Sequence, residues 1–301
     1  MGVGSGLTSW ITDFLSDRTF RVKVGECLSR EVRVTSGCPQ GTVLGALSLV
    51  PYFDAVKNIF PAEVSFKIYA DDLKLYAPMR CPEDRVTLQT AANEFANWTS
   101  RMGLEISTHK CCVFHCGPRS PRHPYTLNGA LLEPRNEIRD LGVLITEELD
   151  FSSHVTSVLK KTARLTNWIL RAFAIKKPDP YLKMYSTTVK PIIMYASPAW
   201  YPRYQKDLKR LQQAQDRFIR RLKQKTDSSE ISMRPIVDQL NEADQRFLAR
   251  LKRAPARFEK LFDQTRSNTR AGGVTRPKAT ARTERIRNLF PWRVTNRYAE
   301  M

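Results

Sequence analysis

Long hydrophobic runs are missing from this sequence. The longest mostly apolar stretch, residues 43–53, is interrupted by Ser48 and Pro51. A membrane-spanning helix needs about 20 apolar residues, so none is expected. The sequence opens Met1-Gly2-Val3-Gly4-Ser5-Gly6, with neither a basic segment nor an apolar run behind it, so no secretion signal is read there. Gly6 also stands where a myristoylation motif wants Ser or Thr. Cysteine is scarce, 6 in 301 residues, too few for a disulfide scaffold. Cys111, Cys112 and Cys116 gather near His109 and His115, but no second Cys/His pair follows at zinc-finger spacing. A half-buried strand with Cys112, Phe114 and Cys116 on one face is the favoured reading of that segment. Glycine at 13 and proline at 18 exclude collagen-like and low-complexity character. A soluble intracellular protein, in cytoplasm or nucleus, is the expectation.

Acidic residues are scarce in the second half alone. Residues 1–150 carry 16 basic and 18 acidic side chains, and residues 151–301 carry 33 and 12, which together make the net charge of +19. A near-neutral half joined to a strongly basic half points to a polyanionic partner, of which nucleic acid is the commonest. An anionic membrane surface is the weaker alternative, because the basic half is not one amphipathic helix with a large apolar face. Hydrophobic residues at 42% suffice for a core, and the length suggests about two domains.

The hydrophobic spacing predicts a helix over residues 7–16 and strands over 19–24 and 31–35, with Gly25 and Glu26 as turn. Ser36-Gly37-Cys38-Pro39-Gln40-Gly41-Thr42 is the densest turn-forming stretch, running into an apolar segment through Phe60. Val64, Phe66 and Ile68 alternate with Ser65, Lys67 and Tyr69, and alternation resumes from Leu73 to Tyr76, which predicts a hairpin tipped by Asp71 and Asp72. Strand parity places Asp71 on the polar face with Ser65, Lys67 and Tyr69, and turns Asp72 elsewhere. A helix is expected over 82–102, with Val86, Leu88, Ala92, Phe95 and Trp98 on its inner side and Gly103 ending it. Short strands are expected at 104–106, 112–115 and 141–145. Beyond residue 151 the period becomes helical. One stripe runs from Val155 through Trp168 to Phe173, and a second from Leu182 to Ile193 is interrupted by Pro191. A third, Leu208, Leu211, Ala214, Phe218 and Leu222, has Lys209, Arg210, Arg217, Arg220 and Arg221 on its other face. A last helix is expected over 236–262, and disorder over 265–282.

Asp71-Asp72 is the sharpest chemical feature. Aspartate is a common turn residue, but two adjacent carboxylates after a buried strand fit a divalent cation better. Hard ions such as Mg²⁺ take oxygen ligands and keep water and substrate phosphate in their shell. Two ions about 3.5–4 Å apart can hold the attacking and leaving oxygens of a phosphoryl transfer. Such a site needs a third carboxylate from another strand.

Tyr69-Ala70-Asp71-Asp72 after an alternating strand resembles the Tyr-x-Asp-Asp motif of reverse transcriptases. Ser36-Gly37-Cys38-Pro39-Gln40-Gly41-Thr42-Val43-Leu44-Gly45 resembles the Gly-x-Pro-Gln-Gly-Ser-x-Leu-Gly motif that precedes it in non-LTR (LINE-like) retrotransposon enzymes. Phe14 to Phe20, the run from Trp98 through Gly103-Leu104 to Lys110-Cys111, Leu141-Gly142-Val143 with Leu149-Asp150-Phe151 and His154, and Tyr185 through Pro191 to Trp200 resemble further motifs in order. The match covers residues 10–225 and is closest to the jockey-like elements of insects.

The resemblance implies an α+β fold: a partial reverse-transcriptase palm, an antiparallel sheet with packed helices, over residues 1–150. It implies an all-α thumb-like region over 151–225 and a basic, partly disordered C-terminal region over 226–301. It implies RNA-directed addition of deoxynucleotides to a primer 3′ end, with Mg²⁺ (or Mn²⁺) as cofactor. The partners would be an RNA template, a DNA primer and deoxynucleoside triphosphates, with no membrane. Asp71 would be the main metal ligand, Asp72 would shape the metal site, and Lys110 would meet the phosphates of the incoming nucleotide. Tyr69 would pack at the primer end. Gly37, Pro39, Gln40 and Gly41 would sit under template and nucleotide. Lys209, Arg210, Arg217, Arg220 and Arg221 would hold the nucleic-acid backbone. For Lys110 a solvated surface lysine is an equal reading.

The family's first palm motif, with the other catalytic Asp, lies upstream of residues 7–16, so the chain is expected to be a fragment inactive alone. Phe53-Asp54-Ala55-Val56 imitates that motif but follows the Gly-rich loop. Pro51 stands inside an expected helix, and Ala46 stands where the family has proline. His154 is expected to be packed or on the surface, not catalytic. Two alternatives remain: a catalytically dead nucleic-acid-binding remnant of a mobile element, and an open reading frame that never folds stably.

Overall fold

The computed structural model describes residues 4–35, 37, 39, 41–43, 45, 54–117, 120–265, 274–277, 290, 291 and 294. The chain divides into two compact units, Met1–Val113 with Pro121–Pro134, and Phe114–Ser120 with Arg135–Met301.

The first unit begins with helix α1 (Ser5–Leu15), in which Leu7 and Trp10 stay exposed. Two short antiparallel ladders follow: β1 (Thr19–Phe20) pairs with β4 (Val32–Arg33), and β2 (Lys23–Val24) pairs with β3 (Cys27–Leu28) around the Gly25-Glu26 turn. Every residue of these four strands is exposed. β5 (Ser65–Tyr69) and β6 (Asp72–Tyr76) form the expected hairpin, in the register Phe66↔Leu75, Lys67↔Lys74 and Tyr69↔Asp72.

Helix α2 (Pro82–Arg101) starts as its sequence dictates. Proline occupies the first turn, where its missing N–H costs nothing, and the Asp84 carboxylate accepts from the Arg80 and Cys81 backbone N–H groups at 2.7 and 3.2 Å. Gly103, at φ +68°, ends the helix. Ala91, Ala96, Trp98 and Thr99 are buried, while Val86, expected on the inner side, is exposed. Phe60 packs at a tilt between Phe66 of β5 and Phe95 of α2, with ring centroids 4.9 and 6.2 Å apart, which fixes the hairpin to the helix. Residues 104–106 are not a strand. Three alternating residues are too few to hold a ladder without a partner. β7 (Cys112–Phe114) is a strand as expected, and His115 beyond it is buried. β8 (Thr126–Leu127) and β9 (Ala130–Leu131) make a further ladder, tied to α2 by the Gln89 amide, which bonds the Thr126 backbone at both its N–H and its carbonyl. β10 is Glu133–Arg135.

In the second unit β11 (Glu137–Asp140) pairs with β12 (Val143–Thr146). Leu141 and Gly142 are the two-residue turn, both at positive φ (44° and 87°), so the strand expected at 141–145 starts two residues late. Such two-residue hairpin turns suit the right-handed twist of the strands. Helix α3 (Ser152–Ala172) buries Val155, Val158, Thr162, Ile169 and Leu170 as one stripe. α4 (Asp179–Met184) runs through a π-helical turn at Tyr185–Val189 into α5 (Lys190–Met194), so the widened turn falls just before Pro191, which has no N–H to give. α6 (Ser197–Trp200), α7 (Gln205–Thr226) and α8 (Ile236–Lys252) complete the packed helices. One core joins Val155, Tyr181, Trp200, Leu211, Phe218 and Leu222 to Ile231, Ile236 and Leu240, so the packing continues past residue 225.

The helix expected over 236–262 ends at Lys252. The short α9 (Pro255–Phe258) follows, because Pro255 lacks the N–H a continuous helix would need. β13 (Phe262–Thr265) pairs with β14 (Val274–Pro277), and Thr265 and Val274–Pro277 lie within the stretch where disorder is expected. The rest of that expectation, and Pro51 and Ala46, lie outside the described residues. Among the described residues no helix is long and apolar enough to cross a membrane.

Candidate active site and nucleic-acid interface

The hairpin tip gathers three of the expected site residues. Tyr69 ends β5, Ala70 and Asp71 form the turn, and Asp72 opens β6. Directly paired residues on neighbouring strands share a face. Asp72 therefore stands beside Tyr69, and Asp71 belongs to the turn. This reverses the parity expectation, because alternation cannot be counted through a turn. Tyr69, Asp71 and Asp72 are all exposed, Tyr69 by 65%. Neither carboxylate enters an ion pair among the described residues. Ala70 holds φ +51°, a left-handed conformation that costs an alanine about 1 kcal/mol. Strain of this kind persists where surrounding structure enforces it.

The Gly-rich segment is partly described; Gln40, Ser36, Cys38 and Leu44 lie outside the described residues. Gly37 and Gly41 take φ +91° and +76°. Pro39 is buried, and its carbonyl accepts the Thr42 hydroxyl at 3.0 Å, while the same hydroxyl accepts the Gly45 N–H at 3.0 Å. A Cβ on Gly45 would stand 2.0 Å from the Pro39 carbonyl oxygen. The loop thus folds back on itself at a distance only glycine permits. The punctuation was legible in the sequence; this closure was not.

Lys110 ends a 3₁₀ turn, Thr108–Lys110, and is exposed on its own element. Asp54, in the stretch that imitates the first palm motif, is taken up by an ion pair with Lys57, which lowers its pKa. No group of three or more His, Cys, Asp or Glu side chains able to hold a metal occurs among the described residues, the cysteine-rich segment included.

On α7, Lys209, Arg217, Arg220 and Arg221 are exposed, opposite a buried face of Leu208, Leu211, Phe218 and Leu222. At about 100° per residue the five expected cations fall within one side of the helix. Arg210 differs from the rest. Its guanidinium bonds the Asp207 carboxylate at 2.9 Å and the Thr156 hydroxyl at 3.0 Å, and Ser152 donates to the same carboxylate at 2.6 Å. Asp207 is buried, so Arg210 neutralises a carboxylate inside the fold as well as facing water. Arg221 donates to the Asn167 side chain of α3.

His154 is packed, as expected. Its Nδ1 accepts the Leu144 N–H at 3.2 Å, and its ring lies 4.8 Å from that of Trp200 at 66°. Burial, helped by the charges of Arg139 and Lys161, lowers its pKa to about 4. A neutral imidazole accepting a backbone hydrogen bond is a structural part.

Residues 2–145 match the sequence profile of the family described as "Reverse transcriptase (RNA-dependent DNA polymerase)". Among curated proteins, the chain is 30% identical over 197 residues to the RNA-directed DNA polymerase from mobile element jockey of Drosophila funebris, covering 62% of this chain and 22% of that protein. It is 25% identical over 272 residues to the probable RNA-directed DNA polymerase from transposon X-element of Drosophila melanogaster, covering 85% and 30%. With the corresponding protein from transposon BS of the same species it shares 24% over 263 residues, covering 81% and 29%. The chain therefore spans less than a third of the length of these relatives. No solved structure matches. The resemblance to the reverse transcriptases of non-LTR retrotransposons is borne out by these matches.

Proposed function

We propose that this chain is the part of a non-LTR retrotransposon reverse transcriptase that carries the Tyr-x-Asp-Asp hairpin of the palm and a helical thumb. The whole enzyme would add deoxynucleotides to a primer 3′ end on an RNA template. The hairpin tip carries the reading: two adjacent, exposed carboxylates beside an exposed tyrosine, inside the stretch that matches the reverse transcriptase profile.

The donor chemistry at the tip fits Mg²⁺. Both side chains offer only oxygen, both are open to water, and a hard cation wants oxygen ligands with room for water and phosphate. When bound there, such ions supply charge stabilisation to the transferring phosphoryl group. Asp71 and Asp72 would hold them, with Asp71 at the outermost point. Tyr69, on the same face as Asp72, would pack against the primer end. The Pro39–Gly45 closure would present backbone, free of side-chain bulk at Gly37 and Gly41, to the template and the incoming nucleotide. Lys110 would meet phosphate. Lys209, Arg217 and Arg220 would lie along the duplex backbone, where phosphate neutralisation gives affinity without sequence preference. Arg210 would contribute less, since Asp207 already engages it. With only two carboxylates at the tip, a third from another strand is required, and the 301 residues alone are expected to give no measurable primer extension.

The test is a chimera in which residues 1–301 replace the corresponding region of an active relative. Asp71→Asn is expected to lower nucleotide addition at least about 100-fold, the scale of losing an aimed electrostatic group, while duplex binding survives. Near-normal turnover by Asp71→Asn would refute the assignment. Robust extension by the 301 residues unaided would refute the requirement for a third carboxylate.

A further inference from the structure

Helical spacing places Trp168 in the core, as one member of the stripe that runs along α3. It is instead 51% exposed. The helix explains why: Ile169 and Leu170 take the buried positions, and Trp168 faces the solvent side of α3. That side is unusual. The 21 residues of α3 contain no aspartate or glutamate. Lys160, Lys161, Arg164 and Arg171 are all exposed, and Arg164 and Arg171 stand one turn to either side of Trp168. From Lys160 to Arg171 the face runs about 16 Å. Asn167, next to Trp168, receives the Arg221 guanidinium, so the basic side of α7 is joined to this face. Toward the start of the helix Lys161 shares a shallow cavity of about 320 Å³ with Arg139 and Tyr195.

A half-exposed indole costs hydrophobic free energy unless something covers it. Four cations without one acid on the same helix select a polyanion to do so. A double helix offers a tryptophan only backbone and groove edges. An unpaired nucleotide offers a phosphate for the arginines and a base face for the indole, the combination on which proteins hold single strands. We infer that the exposed face of α3 is a binding site for single-stranded nucleic acid, with Trp168 as the platform on which an unpaired base stacks and Lys160, Lys161, Arg164 and Arg171 as its phosphate contacts. This rests on the nucleic-acid part of the proposed function and adds a second contact to it, distinct from the duplex grip of α7.

The experiment uses the full chain and three probes of equal length: oligouridine RNA, oligothymidine DNA and an RNA–DNA hybrid, titrated at several salt concentrations. Trp168→Ala is expected to weaken both single strands about tenfold, in line with the stacking of one base. The hybrid should change less than twofold and the salt slope not at all, because tryptophan neutralises no phosphate. Trp168→Phe should recover most of the loss. Arg164→Glu should weaken both single strands and flatten their salt slope. A 5-bromouridine probe should photocrosslink to Trp168. A loss on RNA alone would still support the site and identify RNA as its ligand. Unchanged single-strand affinity in Trp168→Ala, an equal loss on the hybrid, or crosslinking to the equally exposed Trp10 instead would overturn the inference and leave the proposed function standing. If the unaltered chain binds none of the probes, as when this face is taken by an acidic protein, both fall together.

Discussion

The two units solve the problem of stability differently. The helical unit gathers the side chains of six helices into one core in which Tyr181, Trp200, Leu211 and Leu222 are fully buried. The other unit carries four strands with no buried residue at all, and the Asp-Asp hairpin, covered on one side only. Ladders of two residues per strand hold each other by backbone bonds, but the apolar side chains on them, Phe20, Val24, Leu28 and Val32, stay in water. Helices gain most of their stability from the apolar face they bury. The difference teaches where the proposed chemistry would sit: a site that a nucleic acid has to reach would lie on the open unit, and a surface that grips would lie on the packed helices with its charges outside.

The sharpest way to break this comparison is to remove one aromatic ring from each unit. Trp200 is fully buried, donates its indole N–H to the Tyr195 carbonyl at 2.7 Å and supports the His154 ring. Trp200→Ala is expected to cost about 4 kcal/mol, the range for large core aromatics. Phe20→Ala, half exposed on a two-residue strand, should cost less than about 0.5 kcal/mol. Urea unfolding followed by circular dichroism measures both. Similar losses would mean that the ladders are as well supported as the helical core.

His154 sharpens the same point with pH. Its pKa falls from an ordinary 6.5 to about 4, chiefly through burial. The folded state therefore prefers the neutral ring. That preference contributes fully to stability above pH 6.5, and is lost as pH falls from 6.5 towards 4, where the unfolded chain takes up the proton first. The contribution is at most about 3.5 kcal/mol, since each tenfold loss of proton affinity on folding corresponds to about 1.4 kcal/mol. Unfolding midpoints of the helical unit should fall over that window. His154→Asn keeps an acceptor for the Leu144 N–H without a titrating ring, so its stability should be lower at pH 7 but flatter below it. An acid limb of unchanged steepness in that variant would mean that another group sets it.

These elements also divide by how well the sequence announced them. The hairpin, its Asp-Asp tip and the ends of α2 were legible, because alternation, a first-turn proline and a terminal glycine are local signals. The face of Asp72 was not, because the turn resets parity. β11 was missed because its pairing depends on the turn at Leu141-Gly142, which reads as part of a strand. Trp168 looked like core because helical spacing marks a stripe without saying how wide the buried part is. The loop closure at Gly45 is a contact between side chain and backbone that no periodicity encodes, and the burial of Asp207 that makes its pairing with Arg210 matter is set by packing. The charge asymmetry and the family motifs carried the function further than the elements carried the fold.

The smallest effect concerns two turns that resemble each other across the units. Ala70 and Leu141 each open a two-residue hairpin turn at positive φ, +51° and +44°. Glycine adopts that conformation without steric cost, yet loses more freedom on folding. Relief of about 1 kcal/mol of left-handed strain is offset by about 0.5–1 kcal/mol of chain entropy. Ala70→Gly and Leu141→Gly should therefore each stabilise by no more than about 0.5 kcal/mol. The difference should appear in ion binding. The strain at Ala70 lies directly before Asp71, and an alanine restricts the backbone that carries both carboxylates far more than a glycine would. Ala70→Gly is expected to weaken Mn²⁺ binding by the chain a few-fold, the looser turn having to be ordered when the ion binds. Leu141→Gly, which precedes no carboxylate pair, should leave Mn²⁺ affinity unchanged. Equal affinities in both variants would mean that the strained alanine is an accident of the turn, while a selective loss at Ala70 would tie the strain to the site.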